Sequence, residues 1–447
     1  MLQGNMISQI RLIRPIKNWR NVLKKFLLFI LVFSFQFSVC SFAQDIEFHG
    51  FADYRFGSRL QTDSFENDKS LNEIRLQLDS VWYHDLFTAQ LKADFVYDDL
   101  ADNRDDVDLE TGQGFFDLRQ ANVMFSPLSW MDVKFGRQVL TWGTGDLLFI
   151  NDLFPKDWQS FFLGRDMEYL KAPSDALFVS LFPSFASVDI AYTPHFDADR
   201  HISGERISYW NGREIVGQNS VLETERPDEW FKDDEIAARI YRNLAAYELA
   251  VYGYHGFWKS PGGMNPESGA WLFPELDVYG VSARGTLGSG IANIETGYYD
   301  STDDRDGDDP FVNNSETRLL IGYEQEAIKD LTIGVQYYLE HMLKYGSYKR
   351  SLDSMGMSTD TAFNEDRHTV TLRITWMLMN QNLVLSCFTR YSPSDYDLYV
   401  KPVATYKISD IWQAELGGNI FTGDDEYSFL AQFKNNSNIY ASLRCSY

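Results

Sequence analysis

The run "LNEIRLQLDSVWYHDLFTAQLKADFVYD" (residues 71–98) holds two alternating segments with almost nothing between them. In the first, Ile74, Leu76, Leu78 and Trp82 alternate with Glu73, Arg75, Gln77 and Asp79. In the second, Phe87, Ala89, Leu91, Ala93, Phe95 and Tyr97 alternate with Thr88, Gln90, Lys92 and Asp94. Successive side chains of a strand point to opposite faces, so each segment has one apolar and one polar face. Only His84 and Asp85 separate them, which predicts a tight antiparallel hairpin. A soluble sandwich would show the same alternation, so the rest of the chain has to discriminate.

The pattern recurs from end to end. Segments of period two are predicted at 46–58, 71–83, 86–98, 115–126, 131–141, 175–183, 185–195, 233–243, 245–257, 274–287, 290–300, 315–326, 330–341, 366–377, 382–391, 396–407, 410–421 and 437–447, which makes 18 strands, with 16 as the lower count. Short links such as 84–85, 288–290 and 409–410 trade places with long ones at 59–70, 99–114, 142–174, 196–232, 258–273, 301–314, 342–365 and 422–436. The four residues 392–395 are the exception on the long side. Short turns on one rim and long loops on the other are expected of a transmembrane antiparallel β-barrel, not of a sandwich. In a bilayer every backbone polar group needs an internal partner, so a sheet spans only when it closes on itself. Eighteen strands enclose an aqueous lumen, with the apolar faces turned to lipid.

Residues 1–43 are different in kind. They carry six basic and no acidic residues, the apolar run "FLLFILVFSFQFSV" (26–39) and small residues Ser41 and Ala43 before a cut, and are expected to be a secretory signal peptide. Translation starts at Met1 or Met6, and residues 44–447 form a single barrel domain in this reading. Export together with the barrel pattern implies the outer membrane of a Gram-negative bacterium. Removing 1–43 takes the net charge from −24 to −30, which argues against a nucleic-acid partner. Cys387 and Cys445 then remain, both on lipid-facing positions of non-adjacent strands, and are expected to be free thiols. The alternating ending "NIYASLRCSY" (438–447), with a terminal aromatic, is read as the last strand and the signal for the barrel-assembly machinery.

Around "VKFGRQVLTWGTGDLLFINDLFPKDW" (133–158), with its Gly-Arg-Gln strand and Trp-Gly step, the chain resembles porin-type bacterial outer-membrane families, including the alginate-export-like group. The resemblance implies a channel for a solute. Because the first strand begins at about residue 46, a passive, diffusion-type channel is expected and not an energy-coupled receptor with a plug ahead of the barrel.

The candidate pore-lining or solute-binding residues are Arg55, Arg75, Arg137, Trp142, Trp158, Arg318, Arg373, Lys401 and Arg444. Charged rings at a constriction are one basis of pore selectivity. Arg318, Arg373, Lys401 and Arg444 lie on even-numbered late strands and would form a basic strip; paired, solvated wall residues are the plainer expectation. Gly136 breaks the alternation of its strand and is read as a bulge that re-aims Arg137. The link 142–174 mixes Trp142, Phe149, Phe154, Trp158, Phe161 and Phe162 with Asp146, Asp152, Asp157 and Arg165. A loop so apolar gains by folding into the lumen, whereas the more polar 196–232 is expected to stay outside. Aromatic faces beside Arg and Asp suit sugar-like or organic-acid solutes.

No cofactor, metal site or catalytic residue is expected. "STDDRDGDDP" (301–310) fails the calcium-loop pattern, since alignment on Gly307 puts Thr302 first and Asn313 twelfth. The seven histidines show no metal-ligand spacing. The expected partners are outer-membrane lipid and lipopolysaccharide, the assembly machinery, a small hydrophilic solute and further copies of the chain in a homo-oligomer. The rival readings are a secreted soluble β-rich ligand-binding protein and a barrel hydrolase.

Overall fold

The computed structural model describes residues 46–447 apart from 102–104, 358 and 360–361. The expected signal peptide lies outside the described residues. Eighteen long strands follow one another: β1 (Ile46–Arg59), β2 (Lys69–His84), β3 (Phe87–Asp98), β4 (Phe116–Leu128), β5 (Met131–Gln138), β6 (Ser174–Leu181), β7 (Ser187–Thr193), β8 (Glu235–Leu244), β9 (Tyr247–Phe257), β10 (Glu275–Leu287), β11 (Gly290–Ser301), β12 (Glu316–Ile328), β13 (Leu331–Met342), β14 (Asp366–Leu378), β15 (Leu383–Ser392), β16 (Asp397–Lys407), β17 (Trp412–Gly423) and β18 (Asn438–Ser446). Each pairs with the next, and β1 pairs antiparallel with β18 from Phe51↔Ser446 to Arg59↔Asn438. The sheet therefore has no free edge, which removes the unpaired backbone groups that lipid cannot satisfy. All 18 expected strands are present, with ends shifted by no more than three residues.

Burial is inverted relative to a soluble sheet. Along β1, Asp53, Arg55 and Arg59 are buried whereas Tyr54 is 49% exposed. The same outward apolar set runs around the wall through Ile74, Leu91, Phe135, Ile240, Val251, Tyr279, Ile321, Leu416 and Ile439, all exposed. A soluble ligand-binding protein could not carry such a belt in water. Cys387 and Cys445 are free, on β15 and β18. Tyr447 completes the seam: its amide donates to the Gly50 carbonyl at 3.0 Å and its hydroxyl to the Gln77 carbonyl at 2.7 Å.

Gly136 corrects one expectation. The ladders of β5 run through it unbroken to β4 and to β6, and the irregularity of the β4–β5 pair falls between Phe125 and Leu128. What position 136 requires is a φ of +114° and close approach, since a Cβ would stand 2.3 Å from the Ala121 carbonyl oxygen. β5 also ends at Gln138, earlier than expected, because from there the chain turns into the barrel.

Candidate functional site

The connection 139–173 crosses the lumen and is fixed to the wall on every side. Its first half hangs on polar anchors. The buried Glu295 carboxylate of β11 accepts four bonds, from the Thr144 amide (2.7 Å) and hydroxyl (2.8 Å) and from the Asn151 amide (2.8 Å) and side chain (3.0 Å). Gln336 of β13 takes both the amide and the carbonyl of Asp146, whose carboxylate is clamped by Arg373 of β14. Leu148, Ile150 and Phe154 then pack with Tyr254, Leu276, Tyr299, Leu320 and Tyr338 on the inner face of β9–β13.

The second half holds helix α1 (Trp158–Leu163). Asp157 caps it by accepting the Ser160 amide at 2.6 Å, and Gly164 ends it with φ +94°. Only glycine fits there, since a Cβ would lie 2.3 Å from the Tyr440 ring. Phe161 and Phe162 bury against Phe388, Tyr399 and Phe421 of β15–β17 and against Leu71 of β2. Asn419 and Asn438 both donate to the Phe162 carbonyl, at 2.9 and 3.0 Å. Beyond the helix, Arg165 bridges to Glu73, and Tyr169 lies 4.2 Å from the Arg75 guanidinium.

This septum divides the lumen into two chambers. The outer, of about 420 Å³, opens among the long loops; the inner, of about 600 Å³, lies on the short-turn side. The outer wall carries five cations (Lys156, Lys259, Arg318, Arg367 and Arg390) against three carboxylates (Asp152, Asp199 and Glu340), with Trp158, Trp258 and Phe429 as aromatic surfaces. The inner is balanced, with Lys171, Arg239, Arg284 and Arg373 against Asp146, Asp152, Glu248 and Glu324. Phe149 and Asp152 alone belong to both linings among the described residues.

The candidate residues are mostly brought to the lumen, each with its own partner. Arg55 holds the Gly164 carbonyl at 2.7 Å and Glu415 at 2.9 Å. Arg75 pairs with Glu73 and Asp94, and Trp142 packs edge-on against Phe154. Trp158 donates to Asp199 at 3.0 Å. Arg318 lies 4.1 Å from the Tyr299 ring and pairs with Glu316. Lys401 is buried beside the Phe161 carbonyl and Asn419 at 3.3 Å, and Arg444 pairs with Asp166 at 2.9 Å. The expected basic strip is not continuous: Arg318 faces the outer chamber, Arg373 the inner one, and Arg444 a separate pocket with Asp79 and Lys92. Arg137 joins none of these chambers; it is held by the Leu118 carbonyl (2.6 Å), Asp175 (2.9 Å) and the Leu109 carbonyl.

The connection 194–234 overturns its expected place outside. Ile207, Tyr209 and Val216 enter the same apolar cluster as α1, and Arg200 pairs with Asp117 at 2.9 Å and Asp157 at 3.4 Å. Overall polarity hid these spaced apolar residues and the two arginines, Arg200 and Arg206, that pair with wall carboxylates. Burial pushes the His201 imidazole down, so it lines the outer chamber as a neutral group. Arg390 and Lys156 were the main omissions from the candidate set; Arg390 sits inward on β15 in step with Phe388, a parity the alternation already contained. In the 301–310 loop Asp304 is spent on accepting the amides of Asp308 and Asp309, both at 3.1 Å.

Among solved structures the chain is similar to OccAB3 of Acinetobacter baumannii (10% identity, TM-score 0.54, covering 90% of this chain and 99% of that one). It is also similar to OccAB1 of the same organism (9%, 0.51, 91% and 98%) and to OccD3 (OpdP) of Pseudomonas aeruginosa (9%, 0.51, 90% and 91%). No family model and no curated protein matches the chain. At such identities the likeness is one of fold. A closed 18-stranded wall with an outward apolar belt, sorted loops and a lumen crossed by one of them has the fold of the porin-type β-barrels of the Gram-negative outer membrane.

Proposed function

We propose that the protein is a passive channel for small hydrophilic solutes, that the septum 139–173 sets what passes, and that organic acids bearing a ring are preferred over sugars. The observation that carries this reading is the outer chamber, where cations outnumber carboxylates beside aromatic faces. Arg390 supports the acid class: its Nε is buried without a hydrogen-bond partner among the described residues, and its guanidinium lies 4.7 Å from the Phe429 ring. A solute carboxylate would satisfy that donor while its ring stacks nearby. The partners in this reading are lipid and lipopolysaccharide on the belt, the assembly machinery at β18, the solute, and other copies of the chain.

Planar-bilayer recording of the folded barrel tests it. Expected are discrete conductance steps that benzoate blocks more strongly than glucose. In Arg390→Gln the block should weaken by about tenfold, the scale of one charge-assisted hydrogen bond. Correctly folded protein without conductance would overturn the channel; equal block by benzoate and glucose would overturn the acid class.

A further inference from the structure

We propose that Lys156, Asp152 and Lys171 form a charge relay through the septum that passes anions and refuses cations; this rests on the channel reading. Asp152 is where the two chambers meet, together with Phe149. Its two carboxylate oxygens face opposite ways. Oδ1 takes the Lys156 ammonium at 3.1 Å, on the outer side. Oδ2 accepts the Thr141 hydroxyl at 2.7 Å, and that hydroxyl accepts from Lys171 Nζ at 2.6 Å, on the inner side. These four side chains therefore form one line running lysine, carboxylate, hydroxyl, lysine. The Asp152 and Lys156 side chains are only 2% and 4% exposed, so the neck is shut by its own ion pair.

An arriving anion can open that lock, because it offers Lys156 what Asp152 offers. Lys156 does not swing away when the exchange occurs. Its ammonium also donates to the carbonyls of Phe154 (2.6 Å) and Asp152 (3.2 Å), and it sits 4.6 Å from the Phe149 ring. The anion is thus held at the neck, with Lys171 the next cation inward. A cation instead meets two lysines against a single carboxylate, whose two oxygens each already accept a bond. Asp152 is a counter-ion that pairs directly with the buried Lys156 ammonium and reaches the half-exposed Lys171 through the Thr141 hydroxyl.

Reversal potentials in a potassium chloride gradient, on the full mature barrel, give the test. Asp152→Asn keeps the shape, removes the one negative charge between the two lysines and should raise the chloride-to-potassium permeability ratio about fivefold. Lys156→Gln and Lys171→Gln should each lower it by a similar factor. Opposite signs are the distinguishing result, since a purely structural role would shift all three variants alike or none. Lys156→Arg, which keeps the charge, should hold the ratio near wild type and covers the case in which the glutamine variant fails to fold. A conducting wild type with an unchanged ratio in Asp152→Asn overturns the relay and leaves the channel standing. A silent wild type overturns the channel itself.

Discussion

Glu66, in the connection after β1, is 9% exposed and has one carboxylate oxygen buried without a hydrogen-bond partner among the described residues. Burial pushes its carboxyl up to about 7, with Asp63 adding and Arg59 and Arg206 opposing. A raised acid keeps a proton in the folded state that the unfolded chain has released. Stability is therefore complete below the ordinary value near 4.5 and declines as pH rises to about 7. Glu66 lies against Phe65 and Gly217, so the loss should fall on the contact between 60–68 and 203–220. Hydrogen-exchange protection there, corrected for the base-catalysed intrinsic rate, is expected to be weaker at pH 8 than at pH 5, and Glu66→Gln should flatten the difference; equal protection in the wild type would remove the assignment. Glu295 makes a second residue-scale case. All four of its bonds are received from donors, and a glutamine amide turns two further donors toward them. Glu295→Gln should therefore behave like Glu295→Ala, with noisier single-channel currents, and a quiet record from the glutamine variant would count against the anchor.

Helix α1 has six residues and could not persist alone in water. It is held by what surrounds it, and Phe162 shows how: its ring lies 5.1 Å from Phe421 and 5.2 Å from Phe433, edge-on to the first. Phe162→Ala should cost about 3–5 kcal/mol. The check is the temperature at which the folded barrel changes gel mobility, and an unshifted transition would mean that the helix is not packed as a core. The same element marks the limit of what the sequence discloses. The aromatic richness of 142–174 was enough to place it inside, because exposed rings are costly in water. Its destination was not readable, since Glu295 and Asn419 look like any other polar wall residue until the loop arrives. For 194–234 even the direction failed, as local composition does not register that Ile207 and Tyr209 have a cavity to fill.

At the scale of the molecule the strands were legible almost to the residue, because a barrel imposes period two on every one of them and leaves no other interior. The hydrogen bonds of Tyr447 close the β1–β18 seam near the rim. Removing Tyr447 should lower the yield of heat-modifiable, folded barrel in the outer membrane; an unchanged yield would show that the seam closes without it. The two thiols that the wall carries on its lipid face add something else. Cys387 pairs with Pro402, and Cys445 with Trp412, so three strand spacings and about six residues of rise separate them. Spin labels on residues 44–447, which hold only these two of the three cysteines, are then a built-in ruler, expected to read about 25 Å, with no engineered site needed. Because the two positions span three neighbouring strand pairs, a pulsed-resonance distance recorded in intact cells would report directly on the register of the wall from β15 to β18.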